Sequence, residues 1–329
     1  MTRVVVAGHV CVDLAPRADD FVLEPGRLSE IGSLSITVGG SVANTGRALV
    51  ALGHRVVASA RVGDDDLGRI AAARLADSGI GGTPILTAGS HTSYSIVLEP
   101  EGVDRSFWHH IGANALFDGT ETDVDADLVH LGYPSLLPRL VEDNGAGLRS
   151  LLTRARRAGA TTSLDLAVVD ATDATDWRSI LSSVMPLVDV VTPSADDLRS
   201  ALRTPEASAA DLVEQLIGWG VGIAAVSDGP RGIHLGAGAP SRLTAGGNAL
   251  RALADRWGGA RLHRPASPLR RQLTTNGAGD AATAGMLSAI LREYSPERAA
   301  TLAATTAAAV IQGDPITPPT NTDRLESVS

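Results

Sequence analysis

From Leu273 to Gly285 the chain reads LTTNGAGDAATAG, with glycines on both sides of Ala278, a carboxylate at Asp280 and an alanine-rich run directly after it. Backbone amides of Gly277, Ala278 and Gly279, at the positive end of a following helix, make an anion hole for a developing phosphate charge. Their small side chains let the phosphate approach. Asp280 beside them is placed as a general base. Such a set suits transfer of a γ-phosphoryl group to a hydroxyl, where positioning and charge stabilisation dominate and a carboxylate takes the proton. Two other readings compete. Gly277-x-Gly279-x-x-Ala282 fits a dinucleotide fingerprint, but PLRRQL ahead of it is a poor buried strand and the roughly 30 residues after it hold two helices with no strand between, so no βαβ unit can be built. A glycine turn entering a helix, with Asp280 in its first turn for dipole reasons, stays open on these residues alone.

The elements that must position this stretch follow an α/β rhythm. Short β-branched runs at Arg3–Ala7, Arg55–Ala60, Leu128–Leu131, Thr161–Leu166, Val188–Val191 and Ile223–Ser227 alternate with segments of helical period. The helices are predicted over Ser41–Leu52, Asp66–Asp77, Gly147–Ala158, Ala209–Trp219, Ala281–Arg292 and Pro296–Ile311. The pattern predicts a largely parallel sheet covered by helices. Ser295-Pro296-Glu297 supplies a cap, a first-turn proline and an acidic first turn. Residues 14–38 and 92–111 lack helical period, and Ser93–Pro100 alternates like a half-exposed strand; these segments are predicted to pair as a small β lid. Gly236–Ser267, with a possible helix at Ala249–Arg256, reads as an insertion, and residues 313–329 as a C-terminal tail.

Composition narrows the function. At 329 residues, 44% of them hydrophobic and 20% charged, with mean hydropathy +0.10, the chain is that of a globular protein with a sizeable core. A net charge of −9 argues against a nucleic-acid footprint, which asks for a basic face. The 28 basic residues are all Arg. Without lysine there is no Walker P-loop lysine, no Schiff base and no lysine general base. The single cysteine, Cys11, forms no intrachain disulfide, and no apolar run has the length of a signal peptide or a membrane span, which predicts a cytoplasmic protein with no membrane partner. His109 and His110 are adjacent on a predicted strand and point to opposite faces, so they do not share a metal.

These motifs resemble those of the ribokinase-like (PfkB) carbohydrate kinases. LTTNGAGDAATAG is similar to the family's C-terminal signature, D-T-x-G-A-G-D entering a helix, and VGGSVANTGRALVALG (38–53) is similar to its N-terminal Gly-Gly…Ala-Asn signature. VAGHVCVD, VGDDDLGR, GANALF, VVTPSADDL and SDGPRG follow in the family's order, so the resemblance spans residue 3 to about 312. It implies a three-layer α/β/α kinase domain over 1–312 with a β-sheet lid. By it Asp280 is the catalytic base, and Asp13, Gly39, Gly40 and Asn44 bind the sugar acceptor. ATP lies near Ser227, Gly229, Arg231 and Gly232, and Arg105 matches a lid arginine that reaches the acceptor or the transferring phosphate. Lid strands that pair between subunits imply a homodimer.

The chain departs from the pattern at three points. The family's Asn-x-x-Glu, which organises Mg²⁺ and phosphate through water, is Ser194 and Asp197 here. Asp197 keeps the charge on a shorter arm and is the candidate magnesium group. Thr274 replaces the first Asp of the C-terminal signature, so a monovalent-cation requirement does not carry over. Tyr133 stands where ribose-specific members carry an acidic residue, offering a flat hydrogen-bonding wall instead. The expectation is therefore an ATP- and Mg²⁺-dependent sugar kinase. The enzymatic alternative is a nucleoside kinase of adenosine, inosine or pseudouridine type, with Tyr133 or Trp108 as the stacking group. The alternative of another class, motivated by Ser194 and Thr274, is a catalytically silent binding protein.

Overall fold

A computed structural model describes residues 2–18, 25–26, 28–98, 106–170 and 172–319. Its main sheet runs, edge to edge, through Arg261–Arg264, Ile233–Ala237, Ile223–Ser227, Val190–Val191, Thr161–Asp165, Leu128–Gly132, Arg3–Gly8 and Arg55–Ser59. The six strands from Ile223–Ser227 to Arg55–Ser59 are parallel. Runs such as RVVVAG and LVHLG are buried on both faces, which is why they are mostly apolar rather than alternating, with buried His130 held by hydrogen bonds to Ser41 and Ser163. Helices cover both faces. Ser41–Ala51 packs on the strands Arg3–Gly8 and Arg55–Ser59, and Ala278–Leu291 lies beside it. Pro296–Gln312 lies against Ala278–Leu291, Ala303 facing Gly285, and over the strands Ile233–Ala237 and Arg261–Arg264. Leu49, Leu287, Ala303, Val4, Val6 and Val56 share one core cluster. On the other face, Pro138–Arg157, Trp177–Val184, Ala195–Leu202 and Ala209–Gly218 pack on Leu131, Leu164 and Val191.

Two expectations need correction. Gly236–Ser267 is not an insertion hung on the domain: it supplies the end of one strand and all of another that close the sheet antiparallel, Leu235 opposite Ala225 and Leu262 opposite Leu235. Gly236 interrupts the strand's apolar run, because a Cβ there would meet Val213 at 2.5 Å, and that hides the strand from a periodicity reading. The helix expected at Ala249–Arg256 is two short ones, Asn248–Ala252 and Ala254–Trp257. The helix expected from Gly147 lies inside Pro138–Arg157, whose backbone leaves helical geometry at Glu142–Gly145.

A second sheet stands apart, with strand order Leu34–Gly39, Cys11–Pro16, Tyr94–Leu98, Ser106–His110. Its register sorts side chains by face. Thr37, Asp13, Ser95 and His109 are neighbours across the strands, as are Ile36, Leu14, Ile96 and Trp108 one position along each. Successive strand residues point to opposite faces, so one side of this sheet carries a polar row and the other an apolar row. Ile36 is 37% and Trp108 50% exposed.

Candidate active site

A cleft of about 610 Å³ opens at the carboxyl ends of the parallel strands, between the main sheet and the polar face of the second sheet. Ligand crevices of open α/β sheets lie at this end. Asp280 sits at its base, 3% exposed, in the first turn of Ala278–Leu291. Its Oδ1 accepts a hydrogen bond from Thr45 Oγ1 at 2.8 Å; its Oδ2 accepts from Asn44 Nδ2 at 3.0 Å and from Tyr133 Oη at 2.8 Å. Asn44 and Thr45 come from Ser41–Ala51, so the helix of the N-terminal glycine motif and the helix of the C-terminal motif meet at this carboxyl. Burial raises the Asp280 pKa, and the bonds from Tyr133, Thr45 and Asn44, with the charge of Arg47, oppose the rise. No salt bridge to Asp280 occurs among the described residues.

The cleft wall toward the second sheet is polar. Asp13 lies 7% exposed on Cys11–Pro16, its Oδ1 accepting from Cys11 Sγ at 3.3 Å, and burial raises its pKa. Gly39 lies against that carboxylate so closely that a Cβ would fall 2.1 Å from Asp13 Oδ2. Gly40 turns the chain into the helix at φ 83°, a left-handed value that favours glycine, and a Cβ there would strike His9 Nδ1 at 2.6 Å. His9 is 3% exposed, its two ring nitrogens have no partner among the described residues, and its ring lies 5.2 Å from His109 and 5.8 Å from Tyr133. Burial, then His109, lowers its pKa to about 3, so it is neutral at physiological pH. Phe107, Leu136, Leu166 and Val168 make an apolar wall on the same cleft. Trp108 points to the other face of its sheet from Phe107 and His109 and is not part of the cleft lining.

The opposite end carries the residues expected for the nucleotide. Ser194 and Asp197 form a capping box: Asp197 N–H donates to Ser194 Oγ at 3.0 Å, and Asp197 Oδ2 accepts from Ser194 N at 2.8 Å and Oγ at 2.6 Å. Burial raises the Asp197 pKa to about 6 against those bonds. Ser227 bridges to Ser194 and lines the cleft. In the turn after it, Gly229 has open space around its α-carbon, while a Cβ on Gly232 would meet Arg264 O at 2.1 Å. Arg231 grips Asp228 with two bonds of 2.6 Å, so its guanidinium is held within the turn. At Asp280's helix, Ala278 N–H donates to Thr275 O at 3.3 Å, whereas Gly279 and Asp280 N–H lie in the first turn, beyond reach of an intrahelical carbonyl. Thr274 Oγ1 accepts from Asn276 N at 3.0 Å. Arg105 lies outside the described residues.

Sequence reasoning missed four groups here. Thr45 is the neighbour of Asn44 inside the quoted motif. Arg47, one helical turn on, donates to Asn44 Oδ1 at 2.5 Å and Val38 O at 2.8 Å, and so orients the amide that touches Asp280. The i, i+3 spacing was the available signal. His9 stands one residue after the first strand, and nothing in its type marks it. Asp165 ends strand Thr161–Asp165 at the ligand end of the sheet, accepting from Leu166 N at 2.9 Å and Thr283 Oγ1 at 3.2 Å. Its pKa is raised well above the carboxylate range by burial and then by Asp280 and Asp197.

Comparison with known proteins gives the same pattern throughout. The family model described as pfkB family carbohydrate kinase matches residues 1–321. Among solved structures, the chain is similar to an adenosine kinase from Sinorhizobium meliloti, with 22% identity, TM-score 0.75 and 97% and 96% of the two chains covered. An Arabidopsis thaliana ribokinase complexed with ribose and ATP aligns at 20% identity and TM-score 0.74, over 96% of each chain. A Thermotoga maritima ribokinase aligns at 18% identity and TM-score 0.71, over 95% and 93%. At these identities the structural likeness shows the fold.

Proposed function

The chain belongs to the pfkB family of carbohydrate kinases, and from that premise we propose that it moves the γ-phosphate of ATP to a primary hydroxyl of a sugar with Asp280 as general base. The observation that carries this reading is the meeting of Asp280 with Asn44. A buried carboxyl held by neutral donors and free of an ion pair can accept a proton, and the residue beside it is the one expected to hold the acceptor. Asp13 and Asn44 suit paired hydrogen bonds to neighbouring hydroxyls, with Gly39 and Gly40 letting backbone approach the ring.

As the acceptor hydroxyl attacks, its proton passes to Asp280, and the Gly279 and Asp280 amides, with Gly277 at the turn, face the charge that grows on the transferring phosphate. Magnesium, when bound with ATP, neutralises phosphate charge. The hard carboxylate oxygens of Asp197 and Asp165 suit it, through water, as the metal asks for one or two carboxylates. Ser227 and the Gly229–Gly232 turn are the groups for the nucleotide.

The apolar wall of Phe107, Leu136, Leu166 and Val168 favours a second reading, a nucleoside acceptor whose hydroxyls face Asp13 and Asn44 while its base lies on that wall. The exposed apolar row through Ile36 and Trp108 supports a homodimer in which the second sheet acts as a shared lid; a dimeric mass in solution, lost in Trp108→Glu, is the check.

The deciding experiment measures ADP release across sugars and nucleosides for the wild type and Asp280→Asn. The variant is expected to lose on the order of a thousandfold in kcat while its melting temperature still rises with the acceptor. Undiminished turnover in the variant overturns the mechanism, and acceptor binding without turnover in the wild type identifies a silent binding protein.

A further inference from the structure

Tyr133 does more than wall the cleft. Its backbone is left-handed, φ 65° and ψ 55°, which costs a residue with a side chain on the order of 1 kcal/mol or more and persists where the surroundings impose it. Here its N–H donates to Asp165 O at 3.1 Å and its ring packs beside His9, fixing where the phenol points. It points at Asp280 Oδ2, 2.8 Å away.

We propose that Tyr133 is the positioning residue of the base: its O–H holds Asp280 Oδ2 in the orientation that receives the acceptor's proton and keeps that carboxyl ionised. The inference rests on Asp280 being the base. Asp280 is clamped from two directions, by Asn44 and Thr45 from one helix and by Tyr133 from the end of a sheet strand. If Asn44 also binds the acceptor, its amide is shared; the phenol is then the donor to Oδ2 that the acceptor does not draw on.

The charged and titratable surroundings make this donor matter. Burial is the largest cost of a charge on Asp280, and Arg47 is a cation that favours ionisation; Asp13 and Cys11 lie across the cleft, and Asp165 and Asp197 stand on the sheet side, where magnesium would offset them. The phenol's own pKa is raised well above its usual value by burial and then by Asp280, so it remains a proton donor throughout the working range.

The test is the pH dependence of kcat in Tyr133→Phe, which keeps the ring and removes the oxygen. The acid limb is expected to move to higher pH, with kcat falling on the order of tenfold near pH 6 and recovering to within about threefold near pH 8.5, while acceptor KM changes little. Site-specific 3-fluorotyrosine at position 133, a stronger donor, moves the limb the other way and guards against a fold defect in the Phe variant. An unmoved limb in both proteins, or a loss confined to KM, overturns the proposal. If Asp280→Asn remains active, the base assignment itself has failed; if Asp280→Asn is dead and both limbs stay put, only the role of Tyr133 has.

Discussion

The two ends of the cleft are built differently. At the acceptor end, Asp280, Asn44, Thr45, Arg47 and Tyr133 form a closed hydrogen-bond set in which groups up to 236 residues apart in sequence meet. At the nucleotide end, the candidate groups are a helix cap and an exposed turn whose one arginine is spent on Asp228. The acceptor end is preorganised by side chains packed in the fold. The nucleotide end offers mainly backbone, with Arg231 paired to Asp228 and Asp197 bonded within its own helix cap. The difference teaches that one end of the cleft is held by side chains buried in the fold and the other by a cap and a turn; under the proposed function, acceptor binding is expected to be more sensitive to substitution than nucleotide binding.

The most severe way to break that contrast is Gly39→Ala. The new Cβ would fall 2.1 Å from Asp13 Oδ2, so the carboxylate has to leave its place. Acceptor KM is expected to rise on the order of a hundredfold, with ATP KM within about threefold of wild type. Equal losses for both substrates would erase the distinction between the two ends.

Acid probes the same contrast through stability. His130, buried between Ser41 Oγ at 3.1 Å and Ser163 Oγ at 2.9 Å, has its pKa lowered to about 3 by burial, and His9 behaves alike. The unfolded chain takes up these protons near pH 6.5 and the native state does not, so their contribution is complete above about 6.5 and is lost as pH falls toward the folded value. Each contributes a slope of about 1.4 kcal/mol per pH unit in that window. Asp165 and Asp280, with raised values, pull the other way once pH falls through their folded pKa. The isolating measurement is the difference between wild type and His130→Asn: from pH 7 to 5 the urea midpoint of the variant is expected to lose less, or gain more, than that of the wild type, and parallel profiles contradict the assignment.

The smallest effect sharpens the donor side. Arg231 is 68% exposed and bound to Asp228, and an ion pair with so exposed an arginine contributes little. Arg231→Ala should change ATP KM less than about threefold. A tenfold rise would mean that the guanidinium leaves Asp228 to meet the nucleotide.

What the sequence revealed follows from how local each signal is. The parallel strands are continuous apolar runs, and the helices carry clear period and caps, so Arg3–Gly8 and Pro296–Gln312 were visible directly. The closing strands Ile233–Ala237 and Arg261–Arg264 were not, because one contains a glycine required by packing and the other is polar and exposed at a sheet edge. At the site, Asp280, Asn44 and Asp13 were readable from motif and type. The phenol's bond to Asp280 was not, since it depends on a left-handed backbone at Tyr133 and on a distance across 147 residues that no spacing encodes. Trp108 was misplaced for a simpler reason: being next to His109, it has to point away from it.

The strands of the second sheet impose a rule of parity. Positions 13, 95 and 109 line the cleft and 37 shares their face, while positions 14, 36, 96 and 108 lie on the other face. A single residue inserted within any one of these strands would trade the two sets over the rest of its length, turning Ile or Trp toward the acceptor and Asp or His toward the exterior. Length inside these strands is therefore frozen by two demands at once, and diversification of this protein has to proceed by substitution there and by insertion only in the turns between.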